Sequence, residues 1–255
     1  MSMTYEKGYY ERTAEEKRWN SFPGDQVVRL LAGLEKSAKI LDVGSGTSEI
    51  LSALPSDIFY TGLESSAWAI DQAKRKWASR SSATFILQER DEFPFANESF
   101  DVVLLFYSLE HVKTPKETLM ECKRVLRKNG VLIIVAPNLE FPLAWPNALR
   151  HQSGPYRIYF FFLRLFDYVT RILGIYSFRT LAGNFTSKTG KYEKKDDDLW
   201  HVVSSWEVIR FLEKNGFTTA EIWEESKLSG WRKMIRYLPT MRWYGVPLAA
   251  VFKLK

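Results

Sequence analysis

Ile40-Leu-Asp-Val-Gly-Ser-Gly-Thr47 is the stretch on which the fold turns. Its apolar half, from Lys39 to Val43, reads as a buried strand, and Gly44-Ser45-Gly46 as a tight bend into a helix at roughly 47–54 that stops at Pro55. Ile58 to Leu63 predicts a second strand that delivers Glu64 at its carboxyl end. Ser65 and Ser66 can cap the next helix, with Ile70, Ala73 and Trp77 on its inner face. Thr84 to Leu87 and Phe100 to Phe106 are nearly continuous apolar runs, as expected of strands buried on both faces. Thr114-Pro-Lys-Glu117 combines an N-cap, a first-turn proline and a capping-box glutamate. The helix it starts is lined by Leu119, Cys122 and Leu126 and ended by Asn129-Gly130, and Val131 to Val135 is a fifth strand. Strands alternating with helices over short links predict an α/β fold with a doubly wound parallel sheet.

Further out, the pattern changes on both sides. Residues 1–35 read as an N-terminal helical arm or cap: the first 20 are polar with interspersed tyrosines and Trp19, and Pro23-Gly24-Asp25 opens a helix carrying Val27, Leu30, Leu31 and Leu34. Residues 36–255 form the main domain, interrupted after the fifth strand by an aromatic and basic helical insert at 139–200. A second capping box, Ser204-Ser-Trp-Glu207, restarts the alternation with Val208, Ile209 and Leu212 facing inward. Asn215-Gly216 ends that helix, Phe217 to Trp223 reads as a sixth strand, and Val246 to Leu254 as a seventh. The polar stretch Thr186 to Asp198 reads as a mobile loop.

With 45% hydrophobic and 26% charged residues over 255 positions, the chain has ample material for a core. A single cysteine, Cys122, excludes a disulfide framework and multi-cysteine metal sites, and no carboxylate–histidine cluster has ligand spacing, so no metal is expected. The polar N-terminus and the lack of a run of ~18 apolar residues predict a cytoplasmic protein without a spanning helix. The formal charge is +6, and from Lys227 onward there are seven Lys or Arg and no acid. Such a surface points to an anionic partner: phosphate, nucleic acid or a membrane face.

The glycine bend carries the chemistry. In an open parallel sheet, ligands bind outside the carboxyl ends of the strands where strand order reverses. Glycines let a ligand lie against the backbone there, and Glu64, 18 residues after Gly46, can accept both hydroxyls of a ribose. Dinucleotide and adenosyl cofactors share this pattern. A dinucleotide fingerprint needs a third glycine where this chain has Glu49, and an acid at Asp42 better suits a cofactor bearing an ammonium group than a diphosphate.

Ile40-Leu-Asp-Val-Gly-Ser-Gly-Thr47 resembles motif I of the class I S-adenosylmethionine-dependent methyltransferases of the type 11, UbiE-like kind. The likeness continues through Phe93-Pro94-Phe95, Ser99-Phe-Asp-Val-Val103, Leu109-Glu-His-Val112, Arg124 to Gly130, Ile133 to Asn138, and the unit from His201 to Phe217. The resemblance implies a Rossmann-like seven-stranded sheet with an antiparallel last strand and S-adenosylmethionine as cofactor. It also implies that Asp42, Gly44, Ser45 and Gly46 line the methionine end of the cofactor and that Glu64 holds the ribose, with Ser65 beside it. By the same resemblance Glu89 and Arg90 meet the adenine, with Asp91 a rival for that contact, while Phe106 and Tyr107 face the sulfonium. The family commonly has glycine where Ser48 stands.

Methyl transfer from a sulfonium mainly requires alignment, plus a base if the acceptor is a hydroxyl. Of three histidines, His111 and His201 are the candidate bases. Arg150, Arg157, Arg164 and Arg171 recur every seven residues, which on a helix keeps them near one face among aromatic side chains. The insert therefore reads as a lid over the substrate, or as an interfacial helix with its guanidinium groups at anionic head-groups. Together the readings favour a large, greasy or anionic acceptor, such as a lipid, a quinone-like molecule or a lipid-linked glycan; the function expected is methyl transfer to a small, hydrophobic or lipid-linked acceptor, with O-methylation preferred. The alternatives are RNA methylation, with aromatics stacking bases, and a non-catalytic adenosyl-binding scaffold.

Overall fold

A computed structural model describes residues 18–112, 114–143, 154–181, 185–189, 192–196, 200–225 and 228–255. Its strands are β1 (Lys39–Val43), β2 (Phe59–Glu64), β3 (Ala83–Leu87), β4 (Phe100–Phe106), β5 (Leu126–Ala136), β6 (Thr180–Leu181), β7 (Phe185–Thr189), β8 (Tyr192–Asp196), β9 (Trp200–His201), β10 (Phe217–Ile222) and β11 (Leu248–Leu254). Its helices are α1 (Gly24–Ala32), α2 (Ala67–Lys76), α3 (Pro115–Val125), α4 (Gly154–Ile172) and α5 (Ser205–Lys214).

Seven strands form one sheet in the order β10-β11-β5-β4-β1-β2-β3. β1 lies parallel between β2 and β4, so strand order reverses at β1 and β4. β11 runs antiparallel to both β5 and β10, the arrangement that the resemblance implied. The register aligns Val43 with Leu63, Glu64 with Leu87 and Phe106 with Val135, which brings the carboxyl ends of five strands to one edge. β11 starts at that edge, Leu248 opposite Ala136.

Side chains alternate across the sheet and build two cores. On one face Leu41, Val103, Leu105 and Ile134 meet Leu119 and Cys122 of α3 and Val208 and Leu212 of α5. On the other, Ile40, Tyr60, Leu104 and Val135 meet Ile70 and Ala73 of α2 and Val27 and Leu31 of α1. The sheet is doubly wound, and α1 caps it as a core-bearing layer. Residues 1–17 of the expected arm lie outside the described residues.

Local structure departs from the sequence reading in four places. The expected helix at 47–54 shrinks to a 3-10 helix, Glu49–Ser52. The hydroxyls of Ser66 and Ser204 cap their helices, whereas Thr114 makes no side-chain cap and only its carbonyl accepts from Thr118 at 2.9 Å. α3 ends at Val125; residues 127–130 bulge between Leu126, paired with Phe100, and Val131, paired with Val102. The stretch expected as a loop at 186–198 contains most of an antiparallel hairpin of β7 with β8.

The insert helix is turned the opposite way from its expected chemistry. Along α4, Phe160, Arg164, Asp167, Thr170 and Arg171 are buried, while Arg157 is exposed and Arg150 lies outside the described residues. Arg164 donates to the Phe141 carbonyl at 3.0 Å and Arg171 to the Glu140 carbonyl at 2.6 Å. Arg179 grips Asp167 at 2.6 and 2.7 Å, and the Glu207 carboxylate accepts from the Ser177 amide at 3.0 Å. Three arginines thus meet three acids, Glu140, Asp167 and Glu207. Burial lowers Arg164 to about 9 despite the neighbouring acids, and burial pushes Glu140 up to about 7. Arg164 and Arg171 therefore serve the protein interior; the reading that put them at head-groups is corrected. A buried cation left without its acids would cost several kcal/mol, about 3–5 by analogy with other buried pairs, so the cluster dictates which face of α4 turns inward.

Candidate active site

The glycine bend is shaped by what presses on it. Gly44 has φ 74°, and a Cβ there would stand 2.5 Å from the Cβ of Ser108, which follows β4. Glycine is needed on both counts, conformation and space. The amides of Gly44 and Ser45 donate to the Leu63 carbonyl at 2.8 and 3.2 Å, which folds the bend over the end of β2. Gly46 takes φ 54° and Ser48 φ 58°, so the serine occupies a left-handed position that glycine would fill without strain. Glu49, standing where a dinucleotide site has glycine, is bound by Lys76 at 2.6 Å, and the Trp77 indole donates to the Thr47 carbonyl at 3.0 Å. Those contacts tie the bend to α2.

Two carboxylates lie beneath it. Glu64 accepts from the Gly46 amide at 2.9 Å through one oxygen and from the Ser66 amide at 2.9 Å and the Ser65 hydroxyl at 3.2 Å through the other. Asp42 accepts from the Tyr60 hydroxyl at 2.7 Å. Burial pushes the Asp42 carboxyl up to about 7, the Tyr60 bond opposing and the Glu64 charge reinforcing the rise. Gly62 makes room for the bend: a Cβ there would approach the Ser45 hydroxyl at 2.7 Å and the Ser48 hydroxyl at 3.0 Å.

The other predicted residues fall on the same edge. Phe106 and Tyr107 end β4 with their rings edge-on at 5.0 Å, Tyr107 at φ 52° with its amide on the Val135 carbonyl at 2.7 Å. Glu89 and Arg90 are exposed just past β3, whose continuation at Gln88 donates to the Glu64 carbonyl at 2.8 Å. His111 closes a 3-10 helix, Leu109–His111, directly after β4, with its side chain 19% exposed and Nε2 4.0 Å from Glu110. β9 runs beside that short helix and brings His201 to the same neighbourhood. His201 is fully buried, stacked on Phe178 at 5.4 Å, with Nδ1 3.0 Å from the Arg179 carbonyl. Burial lowers its pKa to about 4, so its ring is neutral near pH 7.

Sequence reasoning missed three participants. Tyr60, taken only as part of an apolar strand, holds Asp42. Ser108 backs Gly44, and its buried hydroxyl has no hydrogen-bond partner among the described residues. Trp19 packs on Phe106 with ring centroids 4.1 Å apart, so the segment before α1 reaches the site. The only available signal was a polar-tipped or aromatic residue in an unexpected place.

The residues fit an adenosyl donor with an amino-acid end. Gly44 and Gly46 leave the backbone bare, Asp42 offers a buried acid to an ammonium, Glu64 offers oxygens to hydroxyls, and the orphaned Ser108 hydroxyl awaits a polar partner. Among the described residues no group of three or more His, Cys, Asp or Glu could hold a metal ion.

Known proteins resemble this chain in sequence and in fold. A methyltransferase domain model matches residues 41–134, from within β1 to within β5. A demethylmenaquinone methyltransferase of Thermotoga maritima is 24% identical over 70% of this chain and 69% of its own length. The ubiquinone/menaquinone biosynthesis C-methyltransferase UbiE of Geotalea daltonii is 31% identical over 39% of this chain, which spans 45% of that relative. Among solved structures, a SAM-dependent methyltransferase from Aquifex aeolicus superposes with a TM-score of 0.58 at 15% identity, covering 98% of this chain and 99% of that one. A SAM-dependent methyltransferase from Methanosarcina mazei gives 0.55 at 17% identity, covering 91% and 96%. At such identities the structures speak for the fold.

Proposed function

Because this chain belongs to the class I S-adenosylmethionine-dependent methyltransferases, we propose that it methylates a small hydrophobic or lipid-linked acceptor, preferably at a hydroxyl. The observation that carries the choice of acceptor is the insert helix α4, which presents large apolar side chains outward and is anchored to the loop leaving β5 at the site edge. The relatives from Thermotoga and Geotalea, named for demethylmenaquinone and for ubiquinone/menaquinone biosynthesis, support a quinone-like acceptor. The Geotalea name also favours a second reading, transfer to carbon.

When bound, the cofactor supplies a methyl group already activated on a positively charged sulfur. In this reading Asp42, Gly44, Ser45 and Gly46 hold its amino-acid end, and Glu64 with Ser65 orients the ribose. Glu89 and Arg90 flank the adenine. Phe106 and Tyr107 exclude water and offer ring faces to positive charge, with Trp19 packed behind Phe106. His111, partly exposed in the short helix after β4, accepts the acceptor's proton at Nε2, while buried His201 fixes the return of the insert to the sheet. The protein's contribution is mainly alignment.

Labelled methyl transfer into a fractionated cell extract tests the reading. Label in the lipid or hydrophobic small-molecule fraction is expected. Label in RNA would replace this proposal by RNA methylation, and cofactor binding with no label in any fraction by a scaffold role.

A further inference from the structure

A helix in water ordinarily turns its apolar stripe inward. α4 does the reverse. Ile158, Tyr159, Phe162 and Phe166 are each about 60% exposed, Val169 is 47%, and Leu173 just past the helix is 70%. They recur at three- and four-residue spacing, so they share one face, and the buried arginines occupy the opposite one. The helix contains one acid, Asp167, and it faces inward, so the outer face carries no negative charge.

A second element exposes side chains of the same kind. The 3-10 helix Gly230–Tyr237 exposes Trp231 at 69%, Met234 at 68% and Tyr237 at 89%, alongside exposed Arg232 and Lys233. Both elements rest on the same support. Arg171 of α4 binds the Glu140 carbonyl, Phe141 packs on Tyr244 at 4.9 Å, and Arg236 donates to the Tyr244 carbonyl at 2.9 Å. That support joins β5 to β11 at the carboxyl edge of the sheet, where the cofactor residues lie.

We propose that this surface docks on an anionic membrane, with α4 lying in the interface, its Phe162–Phe166 face among the acyl chains and the 230–237 segment at the head-groups. Aromatic residues beside cations suit the polar–apolar boundary, and exposed Arg232, Lys233 and Arg242 match a negative surface. A second copy of the chain is a poorer occupant, because it would bring two such basic segments together. Among the described residues no helix is long and apolar enough to cross a membrane, so the docking is peripheral. For its purpose, though not for the contact itself, the proposal rests on the lipid-linked reading of the acceptor.

Flotation of the full chain with vesicles of phosphatidylcholine containing ~30% phosphatidylglycerol tests it. Wild type should float, with far less on pure phosphatidylcholine, and Phe162→Gln/Phe166→Gln should weaken binding at least ~10-fold. Arg232→Ala/Lys233→Ala should weaken it several-fold and flatten its salt dependence. Calorimetric cofactor binding should be unchanged in both variants, which shows that they fold. No flotation of wild type, equal flotation of the phenylalanine variant, or a wild-type dimer that this variant dissolves would overturn the proposal. Transfer to a detergent-dispersed acceptor is measured alongside: activity there without vesicle binding sinks the docking and leaves the function standing, whereas binding without activity does the opposite.

Discussion

The Gly46 amide donates to the Glu64 carboxylate at 2.9 Å, across 18 residues of chain. One side chain at the end of β2 thus holds the bend after β1, and in the proposed reading its remaining acceptor capacity meets a ribose. The proposed site therefore couples loop geometry to cofactor affinity through Glu64.

Glu64→Ala should therefore weaken S-adenosylmethionine binding by about 100-fold or more, since hydrogen bonds to a charged group contribute ~1.5–3 kcal/mol each. Glu64→Gln, which keeps an acceptor for Gly46, should lose less. Titration calorimetry decides; equal affinities in all three proteins would remove Glu64 from the site.

Gly44→Ala should destabilise the protein by more than the ~1–2 kcal/mol that a left-handed φ costs alone, because the new methyl meets Ser108. Ser108→Gly in the same chain should restore part of the loss. Thermal unfolding of the two singles and the double measures the coupling; strict additivity would place the two residues apart.

In the proposed site, Asp42 links cofactor binding to pH. Its carboxyl titrates at about 7 in the free protein, and an ammonium partner needs it ionised. Binding should release a proton below pH 7, and affinity should rise about 10-fold from pH 6 to pH 8. Tyr60→Phe, which removes the opposing hydrogen bond, should move this midpoint upward. Titrations in buffers of different ionisation enthalpy count the proton.

His111→Gln should lower kcat by ~10²–10⁴ while leaving cofactor affinity within a factor of about two, the pattern of a lost base. Full turnover in that variant would end its candidacy.

His201 contributes to acid lability. Its pKa falls from the ordinary 6.5 to about 4 on folding, so the unfolded chain binds the proton first. The stability it confers is complete above pH 6.5 and is lost as pH drops through 4. Asp42 and Glu140, raised to about 7, act oppositely: their contribution is complete at low pH and lost as pH climbs to 7. Urea unfolding at pH 7 and pH 4.5 should show His201→Phe losing ~2–3 kcal/mol less than wild type on acidification. Parallel losses would refute the assignment.

Much of the site was legible because its parts are close in sequence to strand ends. A strand followed by glycines must bend, and an acid closing the next parallel strand must arrive beside that bend, so Gly44, Gly46 and Glu64 needed only local pattern and the rule of parallel pairing. Tyr60, Ser108 and Trp19 were not legible, since each acts across the sheet edge on a residue from another strand.

The insert marks the boundary most clearly. Its amino-acid pattern alone determined that α4 would be a helix with arginines on one side and aromatics on the other. Which side faces inward was decided only in three dimensions: Glu140 from the end of β5 and Glu207 from α5 meet behind α4, and buried acids require buried cations. Periodicity fixes the relation of side chains within one helix, whereas their orientation to the rest of the molecule depends on charges contributed from distant points of the chain.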